Sequence, residues 1–140
     1  MNQEYKISSD KKLMNVDSIH SYLSRSYWAE NVPYNIVNKA IENSLCFGVF
    51  HHDIQVGFAR LITDSATFAY LADVYILEEH RGNGLSKKMM EAVINHPQLQ
   101  GLRRMVLATS DAHTLYEKFG FKQLANPQTF MELWNPDVYK

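Results

Sequence analysis

The stretch that most constrains this chain runs from residue 67 to residue 94 and joins an apolar run, a turn with two glycines and an amphipathic segment. Residues 67–76 are rich in aromatic and branched side chains and are apolar on both alternating faces except at Asp73, the pattern of a central strand buried from two sides. Arg81-Gly82-Asn83-Gly84 follows. From Leu85 onward Met89, Met90, Val93 and Ile94 share one helical stripe, with Lys87, Lys88 and Glu91 outward. A strand that enters a glycine turn and then a helix N-terminus makes an anion site, because free backbone N–H groups and the positive end of the helix dipole point to one spot. Glycine lets a phosphate or diphosphate come closer than any side chain would allow, and Arg81, Lys87 and Lys88 add positive charge. A Rossmann site would need a third glycine where Lys87 stands, and a P-loop would need Gly-Lys-Ser or Gly-Lys-Thr where the chain has Gly84-Leu85-Ser86.

The remaining elements are read around that unit. Val16, Ile19 and Leu23 recur at helical spacing behind Asn15, and Ile36, Val37, Ala40 and Ile41 do so behind Pro33, predicting two helices before the main sheet. Residues 45–50 and 55–62 read as a hairpin around His51-His52-Asp53, and residues 67–76 as the next strand. Pro97 stops the helix that begins at Leu85. Residues 104–109 read as a strand, 111–119 as a helix ending at Gly120, and 121–124 and 130–134 as closing strands. The expected fold is α/β: a mixed, mostly antiparallel sheet flanked by helices, with one strand-helix-strand crossover. With 140 residues and no repeat or linker-like composition, residues 1–140 are expected to form a single domain.

Fourteen Lys plus Arg against fifteen Asp plus Glu leave no basic excess, which disfavours a nucleic-acid partner. Cys46 cannot make an internal disulfide and lies in the apolar run Leu45-Cys46-Phe47, so it reads as a packed core thiol suited to a reducing cytoplasm. The opening residues 1–12 are polar and mixed, unlike a leader, and no stretch is long and apolar enough to cross a bilayer; an intracellular protein without a membrane partner is expected.

Val74-Tyr75-Ile76 followed by Arg81-Gly82-Asn83-Gly84-Leu85-Ser86 resembles the Q/R-x-x-G-x-G/A pyrophosphate loop of the GNAT superfamily of acyl-CoA-dependent N-acyltransferases. His113-Thr114-Leu115-Tyr116-Glu117-Lys118-Phe119-Gly120-Phe121 is similar to that family's later A-x-x-L-Y-x-K-x-G-F segment and follows in the family's order. The resemblance covers residues 45–121. One departure is Glu79, where the family has Gln or Arg; both glycines and Arg81 remain.

The resemblance implies transfer of an acyl group, with acetyl-CoA the expected co-substrate, to a primary amine by direct attack in a ternary complex. Backbone groups of Val74, Tyr75 and Ile76 would pair with the pantetheine arm and meet the oxyanion; Arg81, Gly82, Asn83, Gly84, Leu85 and Ser86 would hold the diphosphate. Tyr116 matches the tyrosine that protonates the leaving thiolate, a transfer a phenol of pKa about 10 can make to a thiolate whose acid lies at about 8.5. Its structural alternative is packing beside Leu115 and Phe119. His113 is expected one turn earlier on the same face, and Asp111 either caps this helix or touches the cofactor.

A carboxylate inside an apolar strand must be hydrogen-bonded, paired or beside a cavity. Asp73 is therefore the candidate base or amine ligand, with a salt bridge to Arg60 as an equal reading. Tyr27, Trp28, Arg60, Asp64 and Tyr70 are candidates for the acceptor pocket, although the aromatic pair also suits core packing and Arg60 could pair with Asp64. The acceptor is expected to be a small molecule, with the two carboxylates loosely favouring a cation; protein N-termini or lysines are the other acceptors. A sensor that binds acyl-CoA without turnover is the alternative of another class. No metal is expected, since adjacent His51 and His52 on an extended strand would face opposite sides without further ligands. No Gly-x-Ser-x-Gly elbow or cysteine motif indicates an acyl-enzyme. A homodimer through an exposed edge is compatible with this pattern.

Overall fold

The computed structural model describes residues 4–140, so the first three positions of the polar opening lie outside it. Five strands form one sheet in the order β1 (Tyr5–Ser8), β2 (Leu45–His51), β3 (Ile54–Thr63), β4 (Phe68–Ile76) and β5 (Arg104–Leu107). β1 to β4 pair antiparallel, and β4 pairs parallel with β5. A parallel step requires a crossover, supplied by α3 (Leu85–Ile94). α1 (Val16–Leu23) and α2 (Tyr34–Glu42) precede the main hairpin, and α4 (His113–Glu117) follows β5.

The sheet is buried on both faces because neighbouring side chains alternate between two cores. On one face Leu85, Met89, Met90 and Val93 of α3 pack over Phe47, Val49, Leu61, Ala69 and Leu71. On the other, Ile19 and Leu23 of α1 and Val37 and Ile41 of α2 cover Cys46, Phe50, Phe58 and Tyr75. Cys46 is the expected core thiol, and burial pushes it up to about 11. α1 begins where Asn15 Oδ1 accepts the Ser18 N–H at 3.0 Å, and Pro33 opens α2. No helix among the described residues is long and apolar enough to cross a membrane.

The β3–β4 ladder is irregular at one step. Phe58 pairs with Tyr75 and Arg60 with Ala72, so β4 carries one more residue than β3 across this step. Asp73 sits in the bulge with φ 57°, in the left-handed region. Strict alternation would have put Asp73 on the face of Ala69 and Leu71, inside the α3 core. The bulge turns it toward Arg60 and Trp28 on the α1 side instead.

The structure departs from the sequence pattern at both ends of the chain. β1 adds an edge strand that four residues are too few to reveal by alternation. Residues 121–124 and 130–134 form no strands. Phe130, Met131, Leu133 and Trp134 stay exposed, with Leu133 at 106% and Met131 at 96%, around a single 3-10 turn at Pro127–Thr129. Their alternation supplies a face but no neighbour to receive it. β5 and α4 also end earlier than their patterns suggested, and α4 closes as Gly120 N–H donates to Glu117 O at 3.1 Å and Phe121 N–H to Tyr116 O at 3.2 Å.

Candidate functional site

β4 and β5 pair only from Phe68–Arg104 to Leu71–Leu107. Beyond that point the bulge carries β4 onward without a β5 partner, and a groove of about 890 Å³ opens between the strands. Residues 71–76 of β4 form one wall, and residues 107–112 with Leu115 and Tyr116 form the other. Tyr22, Arg25, Tyr27 and Trp28 line it from the α1 side, and Tyr27 reaches across so that its hydroxyl lies 2.9 Å from Ser110 Oγ.

At one end of the groove β4 passes through a single turn, Glu78–His80, into the glycine loop. Gly82 and Gly84 have φ of 85° and 71°, and a Cβ built on either would meet no atom within 4 Å. These glycines therefore answer the handedness of the backbone rather than crowding, and the space outside them is open. Gly84 is the N-cap of α3 and supplies no side-chain cap, which leaves the first-turn N–H groups for an outside acceptor. Arg81 anchors the loop: Nε donates to Ile76 O at 2.9 Å and Nη2 to the Tyr22 hydroxyl at 3.1 Å. Asn83 Nδ2 donates to His80 O at 2.9 Å. Ser86 lines the groove, whereas the Tyr75, Ile76 and Leu85 side chains are core, so these three can offer backbone only.

Tyr116 is buried to 7% exposure, lines the groove and meets Phe121 edge-on with ring centroids 5.9 Å apart. Burial raises its phenol above the usual value of 10, and the Asp111 carboxylate and the Tyr27 hydroxyl add to that. Asp111 lines the groove but does not cap α4. The N-cap is Ala112, and Thr109 Oγ1 instead accepts from the N–H groups of Ala112 at 3.0 Å and Asp111 at 3.4 Å. His113 is exposed and lies outside the groove lining.

The expected pairing of Asp73 is present. Arg60 Nε donates to one oxygen at 2.8 Å and Trp28 Nε1 to the other at 3.0 Å, with the two charged side chains 16% and 11% exposed. Arg60 Nη1 also donates to Ser44 Oγ at 3.2 Å. Tyr27, Trp28, Arg60 and Tyr70 all line the groove. Asp64 does not. Its carboxylate accepts from the N–H groups of Ala66 and Thr67 at 2.9 and 2.8 Å and from Thr67 Oγ1 at 2.7 Å, ties the β3–β4 turn, and is held well below the usual carboxylate range by those bonds. The Arg60–Asp64 pairing is likewise absent.

A match to the acetyltransferase (GNAT) family spans residues 16–121. The chain belongs to the GNAT acetyltransferase family. It is 36% identical to an acetyltransferase candidate of Gibberella zeae, over 82% of this chain and 77% of that one. A crystal structure of a GNAT-family acetyltransferase candidate from Xanthomonas campestris pv. campestris superposes with a TM-score of 0.94 at 51% identity, covering 96% of each chain. A GNAT acetyltransferase of Elizabethkingia anophelis with acetyl-CoA bound shares the fold at a TM-score of 0.65 and 12% identity, over 96% of this chain and 90% of that one.

Within this family member, two groups fall outside the sequence reading. Tyr22 stacks on Tyr75 with centroids 4.0 Å apart, and Arg25 lies 4.3 Å over the Tyr22 ring while forming paired bonds of 2.8 and 2.9 Å with Glu78. Together they tie α1 to the turn before the loop. Tyr22 lies in the last turn of α1 and Arg25 directly after its C-cap, Ser24, so their three-residue spacing was the available signal. His51 and His52 also behave unlike an extended pair. With φ of 50° at His52 and 68° at Asp53, the turn brings the rings to 4.3 Å, and Glu4 contacts His51 Nε2 at 3.0 Å and His52 Nε2 at 3.6 Å.

Proposed function

We propose that this acetyltransferase moves an acetyl group from acetyl-CoA to a primary amine on a small molecule by direct attack in a ternary complex. The observation that carries this is the parting of β4 from β5 beyond Leu71, beside Tyr116 and leading to the glycine loop. The unpaired β4 edge suits an extended amide-bearing arm, which adds to a sheet edge as a further strand would. The open space at Gly82 and Gly84, with uncapped N–H groups at the start of α3, suits a diphosphate. Arg81, Asn83, Leu85 and Ser86 belong to the same loop, Leu85 through its backbone alone. Acetyl-CoA bound to a neighbour of the same fold supports the choice of donor.

In the reaction the amine nitrogen bonds to the thioester carbonyl, backbone N–H groups near Val74 receive the oxyanion, and the carbon–sulfur bond breaks. Tyr116 gives its proton to the leaving thiolate, and the proton lost by the amine passes to water in the groove. Asp73 holds the amine rather than taking its proton, because donors already occupy both of its oxygens while each keeps a further lone pair. Asp111, within the segment that joins β5 to α4, and Tyr27, whose hydroxyl reaches Ser110 of that segment, flank the thiol end, whereas His113 lies outside the groove. Burial raises the Tyr116 phenol above the ordinary phenol range, so its acid form persists through neutral pH and turnover should lose this donor only in strongly alkaline solution.

Titration calorimetry of the protein with acetyl-CoA and with CoA tests the donor, followed by thiol release in the presence of amines. Saturable binding with amine-dependent thiol release supports transfer. Binding without release across amino acids, polyamines, aminoglycosides and peptide N-termini would make the protein an acyl-CoA sensor, and no binding would remove both readings.

A further inference from the structure

Beside the groove lies a second cavity of about 190 Å³ that shares Trp28, Arg60 and Asp73 with it. Its deep walls are Leu23, Val32, Val37, Ile41 and Phe58, each at most 5% exposed. A cavity of about 150 Å³ lined by such residues stays dry and accepts a benzene-sized guest. This one therefore suits a single compact branched or aryl group and has no room for a long polar chain.

The mouth of the cavity has a different chemistry. Asp73 is already balanced by Arg60 at 2.8 Å, so the pair is neutral and a lone cation gains little from it. A guest that presents both an anion and a cation matches it better. Arg60 carries five N–H donors; Nε goes to Asp73 and Nη1 to Ser44, while Nη2 has no hydrogen-bond partner among the described residues. It can take a carboxylate. Each Asp73 oxygen retains a lone pair that can take an ammonium or amine N–H. Asp73 belongs to cavity and groove alike, so an amine held there stands on the boundary between acceptor and acyl donor.

We propose that the acceptor is a free α-amino acid with a compact apolar side chain, its carboxylate on Arg60, its amine at Asp73 and its side chain in the cavity. The assignment rests on the acyl-transfer reading and replaces the cationic acceptor that two carboxylates had suggested, since one of them, Asp64, is spent on a turn and the other is paired. A site built to bind a polar group discriminates strongly against the analogue that lacks it, because its own polar atoms are then left unpaired.

The test compares L-leucine and L-phenylalanine with 3-methylbutylamine and phenethylamine, their decarboxylated counterparts, and with spermidine, all by thiol release from acetyl-CoA. The amino acids should exceed the matching amines and spermidine by at least ~10-fold in kcat/KM. Arg60→Gln should abolish the advantage of each amino acid over its amine. Ala40→Phe, on the α2 wall of the cavity, should raise KM for L-leucine by at least ~10-fold while calorimetry finds acetyl-CoA affinity unchanged. Equal rates for amines and amino acids, or preference for spermidine, with acetyl-CoA binding intact would overturn the acceptor class and leave acyl transfer standing. Failure to bind acetyl-CoA would instead overturn the acyl-transfer reading, and this assignment with it.

Discussion

The segment from β4 through α3 and the segment after α4 use similar side chains to opposite ends. Met89 of α3 is wholly buried, and Leu133 of the tail is as exposed as a residue can be. β4 has β3 on one edge, part of β5 on the other and helices over both faces, so Ala69, Leu71, Tyr75 and Ile76 each find a surface and only Phe68, at the strand's start, stays exposed. Residues 130–134 alternate as well but meet no strand, and Phe130, Met131, Leu133 and Trp134 stay in solvent. An apolar pattern becomes structure only where another element receives it.

That contrast can be broken at several points. Met89→Ala should cost roughly 2–5 kcal/mol of unfolding free energy in urea titrations, the range for emptying a packed core site. A loss below 1 kcal/mol, on the order of a surface change, would mean that α3 is not seated as described. Tyr116→Phe should leave acetyl-CoA affinity near wild type but lower kcat on the order of 100-fold, about 2.7 kcal/mol of barrier; unchanged turnover would reduce Tyr116 to packing. Gly84→Ala should lose about 1–2 kcal/mol of stability through its left-handed backbone, without any internal clash, and should weaken acetyl-CoA binding. Unchanged calorimetric affinity in that variant would move the diphosphate elsewhere. Leu133→Ala should change stability by less than about 0.5 kcal/mol. A larger loss would show that the tail is covered in solution, with a second copy of the chain as the cover to test by sedimentation.

What could be read beforehand follows the same division. The two helices before the hairpin, the hairpin itself, β4 and α3 carry local periodicity, caps and turn residues, and each formed close to its expected bounds. The glycine loop and Tyr116 were legible because their order along the chain resembles a family pattern. The Asp73–Arg60 pair was legible as one of two readings, since a carboxylate in an apolar run needs a partner. The bulge that aims Asp73 was not: Asp tolerates a φ of 57° better than most residues, but within an apolar strand run nothing marks where the extra residue falls. Nor was the use of Asp64 within its own turn, or the convergence of His51 and His52 around Glu4, both of which arise from loop geometry that alternation rules ignore. The tail misled because strand-like composition says nothing about whether an edge is within reach.

The free edge of β4 has a consequence of its own. An open row of N–H and C=O groups is adhesive toward any extended chain, and proteins normally blunt such edges. Here the row is recessed between α4 and the segment that carries Tyr27, whose contact with Ser110 bridges the opening. A folded neighbour cannot bring a strand to it, but a slender flexible molecule can thread alongside. The same gap in the sheet thus works as a width filter, protecting the protein from its own kind while admitting a guest one chain thick.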